Sequence, residues 1–250
     1  MQYRDNFLTY LKWRGDLLVK DYPFNEIDAL ILTELVYIHF EGIVPGVGED
    51  GCISIYEAGS RYRKSTSREM LYYREKEELF DELATCPRFK DMTLCNYVST
   101  LDIEGQQQFA AMHVNVMPNM TFIAFRGTDS TVTGWREDFN MTYMMPVPAQ
   151  KSAVEYVNQT AKGLFKKYWI GGHSKGGNLA IYSGVFCNQK SISGQAKQEL
   201  RRETPCCARS CSRILRQKCL FKMSSSLLSP HQSATTRLLP DRTCLWASNV

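Results

Sequence analysis

No run of eighteen apolar residues occurs anywhere in the 250 residues, so no membrane-spanning helix is expected. The opening MQYRDNFLTYLKWRGD is charged and aromatic throughout and lacks the apolar stretch of a secretory leader. Cys207, Cys211 and Cys219 offer no C-x-x-C spacing and no supporting histidine pair, which leaves a zinc site without a motif. The odd total of nine cysteines fits reduced thiols rather than a disulfide framework. These absences predict a cytoplasmic protein with no metal and no other cofactor.

Two further shortages fall in one place. No tyrosine follows Tyr182, and the last 60 residues contain a single glycine. The same 60 residues hold ten serines, five of the nine cysteines and ten Lys+Arg against three acids, a local charge of +7, while residues 1–190 sum to −3. The overall +4 therefore describes neither part. A basic tail can bind nucleic acid, but no nucleic-acid partner is expected. The composition of the full chain is ordinary for a soluble protein, with 44% hydrophobic and 22% charged residues. The length suits one α/β domain or two small ones and is enough for a substantial core.

The stretch that stands out is Tyr168–Tyr182, YWIGGHSKGGNLAIY. Tyr168, Trp169 and Ile170 are aromatic or β-branched, as a buried strand requires. Leu179, Ala180, Tyr182, Val185 and Phe186 recur at helical spacing. Between them Gly172-His173-Ser174-Lys175-Gly176 fits G-x-S-x-G, so the serine falls on a strand-to-helix turn. A side chain on a turn that sharp needs neighbours without Cβ atoms, and Gly171 and Gly177 extend the cleared space. The Lys175 amide then opens a helix, where negative charge is stabilised. An ordinary glycine-rich turn with an idle serine is the alternative.

Earlier in the chain, residues 1–20 read as a short amphipathic opening with Phe7, Tyr10, Leu11 and Trp13 on one side. Asn25 is the expected N-cap of a helix whose apolar face is Ile27, Leu30, Ile31, Leu35 and Ile38, ended by Gly42 and Pro45. A loop is expected to about Ser60, then a charged helical region from Arg61 to Ala84 that buries Leu79, Phe80 and Leu83 and is broken by Cys86-Pro87. Strands are predicted at Thr93–Leu101, Phe109–Val116 and Met120–Phe125, the last two joined at Pro118-Asn119 in an antiparallel meander. His113 falls inside a strand and reads as structural.

Met120–Phe125 runs into Arg126-Gly127-Thr128-Asp129. A strand ending in a glycine turn with a hydroxyl residue suits an oxyanion hole, with the N–H and hydroxyl of Thr128 as donors; a plain β-turn is the alternative. Trp135 and Asp138 are expected to anchor this loop by packing and a hydrogen bond. Gln150–Leu164 reads as a helix with Ala153, Val157, Ala161 and Leu164 inward, completing a right-handed crossover to the serine strand.

Phe125-Arg126-Gly127-Thr128, followed by Trp135 and Asp138 and, 46 residues after Thr128, by Gly-His-Ser174-Lys-Gly-Gly, resembles the lipase class 3 branch of the α/β hydrolases. The opening Tyr10-Leu11-Lys12-Trp13-Arg14-Gly15-Asp16, the Pro23-Phe24-Asn25 helix start and the Gly-Gly-His-Ser-Lys-Gly-Gly-Asn turn are closer to a bacterial family of that branch. The resemblance covers about residues 5–187. It implies an α/β-hydrolase-like sheet flanked by helices, Ser174 as nucleophile, and an oxyanion hole from Thr128 and the Lys175 amide, acting on a small acyl ester. Gly134 stands where this class carries an acid, and Lys175 where it carries an apolar residue; a lysine beside the serine argues against a greasy acyl pocket.

A serine hydroxyl needs a histidine base held by an acid, in the order serine, acid, histidine. After Ser174 the chain has one histidine, His231, and one aspartate, Asp241, in the reverse order. Glu199 and Glu203 precede His231 but lie in an arginine-laden segment. His173 adjoins the serine with its side chain expected to point away. The expectation is an impaired hydrolase, with a non-catalytic binding or scaffold protein as the alternative, Lys175 and the Arg126 loop holding an anion. The domain is placed at residues 1–187, a helical portion to about 90 and the sheet core from about 91, and residues 188–250 form a basic irregular tail. Three accounts of that tail stand: disorder, metal binding, or a reading-frame slip between Asn188 and Gly194 that replaced the strands carrying acid and base. The slip is preferred, and the sheet is expected to be incomplete at its C-terminal edge.

Overall fold

Met120–Phe125 form β4, and every one of its residues is buried. Full burial of a strand requires cover on both faces. The computed structural model, which describes residues 6–64, 71–162, 166–188 and 219–223, shows where that cover comes from. The elements are α1 (Phe7–Arg14), α2 (Glu26–Leu35), β1 (Ile53–Ser54), α3 (Ile55–Lys64), α4 (Leu71–Thr85), β2 (Thr93–Asp102), β3 (Gln107–Met117), β4, α5 (Val132–Asn140), α6 (Pro148–Thr160), β5 (Lys167–Gly172), α7 (Lys175–Phe186) and β6 (Cys219–Met223). The strands make one mixed sheet in chain order, β1 to β6. Every pairing is antiparallel except β4–β5, where Met120 faces Lys167 and Phe125 faces Gly172 in parallel register. The chain is thus of the α/β class, a mixed sheet with helices against it.

The meander β2–β3–β4 forms as its alternation and its Pro118-Asn119 turn require. Successive side chains of β3 enter different cores. Ala110, Met112, Val114 and Val116 join residues of α2 and α4 on one face, and Phe109 and Ala111 join Ala149, Ala153, Val157, Leu179 and Ala180 of α6 and α7 on the other. His113 points to the second face, where its Nε2 lies 2.9 Å from Thr160 Oγ1. Burial pushes its pKa down to about 3, with Lys166 adding to the effect. It is structural.

Asn25 caps α2 as expected, accepting from Ile27 N at 2.9 Å and Asp28 N at 3.1 Å, while Asp28 Oδ2 accepts from Asn25 N at 2.9 Å. Asp28 is also the anchor of a buried ion pair, with Arg88 Nε 2.8 Å from its Oδ1 and an Arg88 Nη 2.6 Å from its Oδ2. Arg88 further donates to the carbonyls of Leu17, Tyr22 and Pro23, which ties the chain entering α2 to the segment after α4. That Asp28 contact also raises the Arg88 pKa.

Five expectations need correction. Trp13 is 73% exposed and only Leu11 of α1 is fully buried, because one short helix contributes a single ridge. Ile27 is 47% exposed, and Leu32 takes the core position instead. α2 ends at Leu35, well before Gly42. The expected loop up to Ser60 holds β1 and the start of α3; a two-residue edge strand leaves no periodicity to read. α6 ends at Thr160, and the expected inward Leu164 lies outside the described residues. Leu79, Phe80 and Leu83 are buried as expected. Among the described residues no helix is long and apolar enough to cross a membrane.

Candidate functional site

Ser174 sits between β5 and α7 with φ 56° and ψ −123°, a left-handed conformation that a side chain adopts only where the surroundings impose it. The surroundings are close-packed backbone. A Cβ on Gly172 would lie 2.3 Å from the Gly176 carbonyl carbon, and one on Gly176 would lie 2.2 Å from the Phe125 carbonyl oxygen. The start of α7 therefore rests directly on the end of β4. Across this junction a Cβ on Gly127 would lie 2.5 Å from the His173 carbonyl oxygen and 3.3 Å from Ser174 Cβ. The Arg126–Asp129 corner and the serine turn are thus in contact, and Ser174 is exposed at their meeting point.

Hydrogen-bond donors are left over at this junction. The turn's bonds run from the amides of Gly176, Gly177 and Asn178 back to His173 and Ser174 carbonyls. Among the described residues the amides of Thr128 and Lys175 donate to nothing. Thr128 Oγ1 is buried with no partner in hydrogen-bonding geometry, although it lies near enough to Asp138 to favour that carboxylate's charged form. Burial outweighs this and raises the Asp138 pKa, with the Lys175 charge opposing and Glu137 reinforcing the rise.

The Lys175 side chain turns the other way. Its Nζ is fully buried and donates to Gln108 O at 2.7 Å, Gln108 Oε1 at 2.6 Å and Glu137 Oε2 at 2.9 Å. Glu137 in turn accepts from Gln108 N at 3.0 Å and Ala149 N at 2.8 Å. One carboxylate on α5 thus joins the starts of β3, α6 and α7. Burial lowers the Lys175 pKa and the Glu137 charge opposes that. The ammonium reaches neither an acyl pocket nor an external anion, so both expectations built on it fail: it is no argument against an apolar substrate and no anion-binding group. Arg126 is likewise buried, 3.7 Å from Asp129 and 3.4 Å from Ser99 Oγ.

Trp135 does not anchor the loop; it is 66% exposed. The anchors are Glu137 and the Asp129 carboxylate, which accepts from Thr131 N at 2.9 Å and Thr131 Oγ1 at 2.5 Å. Thr131 then caps α5 by accepting from Gly134 N at 3.0 Å. α5 buries Gly134, Glu137 and Asn140 and exposes Val132, Trp135 and Phe139, with Tyr143 continuing the stripe. Sequence reasoning missed Glu137, Gln108 and Tyr37. The signal for the first was present: a lysine at the start of a buried helix needs a carboxylate. Tyr37 accepts from Gly127 N at 3.1 Å and its hydroxyl lies 3.3 Å from His173 Nδ1, so the His173 ring is turned toward the segment that follows α2.

Histidines elsewhere are engaged as well. His39 lies 3.7 Å from Glu41, and His113 meets Thr160. Glu199, Glu203, His231 and Asp241 lie outside the described residues. Among the described residues no cluster of His, Cys, Asp or Glu could hold a metal.

A family model described as Mbeg1-like matches residues 83–220. The chain belongs to the Mbeg1-like family. The matched span contains the whole junction, from Arg126 through Glu137 to Lys175. It also runs past the compositional break near Gln189 and into β6, whose Cys219–Met223 pair antiparallel with β5 from Gly172 back to Tyr168. A strand therefore lies within the stretch expected to be irregular. No curated protein and no solved structure matches the chain.

Proposed function

We propose that this Mbeg1-like chain is a serine hydrolase of the α/β-hydrolase, lipase class 3 type, cleaving acyl esters through Ser174. The observation that carries the reading is the exposed serine at φ 56° between a parallel strand and a helix, in contact with a corner whose Thr128 amide, like that of Lys175, donates to nothing among the described residues. Ser174 Oγ attacks the acyl carbonyl. The oxyanion that forms is received by the Lys175 N–H and by the N–H and hydroxyl of Thr128. The alcohol leaves and water then releases the acyl group. The exposed apolar face of α5 begins a few residues from this corner and suits an apolar acyl or alcohol portion.

Turnover in this chain is expected to be slow. Among the described residues the histidines, His39, His113 and His173, are engaged with Glu41, Thr160 and Tyr37, and a site whose base is missing keeps roughly 10³–10⁴-fold catalysis over water from the oxyanion hole and binding. The same engagement favours a second reading, a non-catalytic binding or scaffold protein on this fold. A fluorophosphonate probe separates them. Stoichiometric labelling of Ser174, abolished in Ser174→Ala, is expected for the hydrolase; a folded protein that takes no label is the scaffold.

A further inference from the structure

Cys52 and Cys95 stand opposite one another at the edge of the sheet farthest from β6. β1 pairs with β2 so that Ile53 faces Leu94 and Ser54 faces Thr93; one step further in that register sets Cys52 against Cys95. Ile55 N donates to Met92 O at 2.9 Å, marking that pair as hydrogen-bonded. Alternation along an antiparallel ladder then makes Cys52 and Cys95 a non-hydrogen-bonded pair, the kind in which Cα atoms approach to about 4.5 Å and side chains lie nearest. Disulfides span Cα separations of about 4.4–6.8 Å. The side chains agree with the register: Asn115 Nδ2 lies 3.5 Å from Cys52 Sγ and 3.6 Å from Cys95 Sγ. That amide is itself fixed, donating to Thr93 Oγ1 at 3.1 Å while Asn115 Oδ1 accepts from Thr121 at 2.8 Å. Both thiols are free, Cys52 exposed and Cys95 buried.

We propose that Cys52 and Cys95 are a peroxide-sensitive thiol pair that closes to a reversible disulfide. The exposed Cys52 thiolate attacks hydrogen peroxide; a sulfur–oxygen bond forms, the oxygen–oxygen bond breaks, and hydroxide leaves to become water. Cys52 is then a sulfenic acid. Cys95 sulfur attacks Cys52 sulfur, the sulfur–sulfur bond forms, and the oxygen departs as a second water carrying the Cys95 proton. Two thiols and one peroxide give one disulfide and two waters, and a dithiol reductant reverses the change. The order follows from access. Burial is the main cause that pushes the Cys95 thiol up to about 12, with neighbouring Cys52 adding to it; the thiolate charge on Cys52 is removed once it is a neutral sulfenic acid. Cys95 is therefore the resolving partner, aided by proximity.

The link would close the chain from β1 through α4 to β2 into a loop, on the far side of the sheet from Ser174. The test uses the full chain, treated with a slight excess of hydrogen peroxide, alkylated, and digested without reduction. The expected product is a cross-linked peptide pair joining Cys52 to Cys95, lost on dithiothreitol treatment and absent from Cys52→Ser. The oxidised protein melts at a higher temperature than the reduced one, and oxidation leaves the melting of Cys52→Ser unchanged. Because Cys52 is exposed, its serine variant folds even if Cys95→Ser does not. Over-oxidation of Cys52 to the sulfinic or sulfonic acid without the cross-linked peptide overturns the proposal, as does a Cys52 bridge to any other cysteine.

Discussion

Lys175 places a charge where only protein reaches it. Its ammonium has three acceptors, and its counter-ion Glu137 has two further donors. Such a pair contributes little over an apolar substitute of the same shape, but removing one partner strands the other. Lys175→Met leaves Glu137 buried and unpaired, and about 3–5 kcal/mol of stability should be lost. Lys175→Met combined with Glu137→Gln should recover part of that loss, read as the coupling energy of a double-mutant cycle in urea. If the two single losses simply add, the contact has no energetic meaning. The sequence disclosed the lysine but not its direction. A residue just after the serine looks adjacent to substrate on paper, yet the first turn of the helix swings its side chain beneath the junction while its amide stays at the surface.

Elements whose side chains follow one rule of burial were legible, and those that obey a partner were not. β3 and β4 and the turn between them follow from alternation and Pro118-Asn119; α7 follows from the spacing of Leu179, Ala180 and Tyr182. α5 inverts the rule. It hides Gly134, Glu137 and Asn140 and shows Val132, Trp135 and Phe139 to solvent, so reading Trp135 as a packing anchor failed. The reason is the buried lysine, which demands a carboxylate on the inner face and turns the apolar stripe outward. The glycines of the serine turn were legible because sterics alone requires them. Gly176→Ala should therefore force α7 off the end of β4, since its Cβ would lie 2.2 Å from the Phe125 carbonyl oxygen. Overpacking of this kind costs about 1–3 kcal/mol. Fluorophosphonate labelling of Ser174 in Gly176→Ala should slow relative to wild type; unchanged labelling and unchanged stability would show that the contact is not rigid.

Across the whole molecule, one sheet separates two cores that were not distinguishable in sequence, because alternation says which residues share a face but not that both faces are covered. The second core encloses His113, with the Tyr156 and Tyr168 rings 5.6 and 6.2 Å away and Thr160 on its Nε2. This makes global stability depend on pH. The unfolded chain takes up the His113 proton below its ordinary value of 6.5, whereas the folded chain resists until about 3. Between those values the unfolded state binds more protons, so stability falls as pH falls, by at most about 1.4 kcal/mol per pH unit from this group. Above 6.5 the histidine is neutral in both states and contributes no slope. Glu41 acts lower, chiefly because His39 holds its carboxyl down to about 2; its contribution is present above its ordinary 4.5 and is lost as pH falls toward 2. Urea midpoints should accordingly be flat with respect to His113 near pH 7 and 8 and decline from about 6.5 downward. His113→Gln keeps a partner for Thr160 and cannot gain a charge. Its decline between pH 6 and 5, above the Glu41 window, should be shallower than that of the wild type. Equal slopes in the two proteins would mean that the acid sensitivity arises outside the second core.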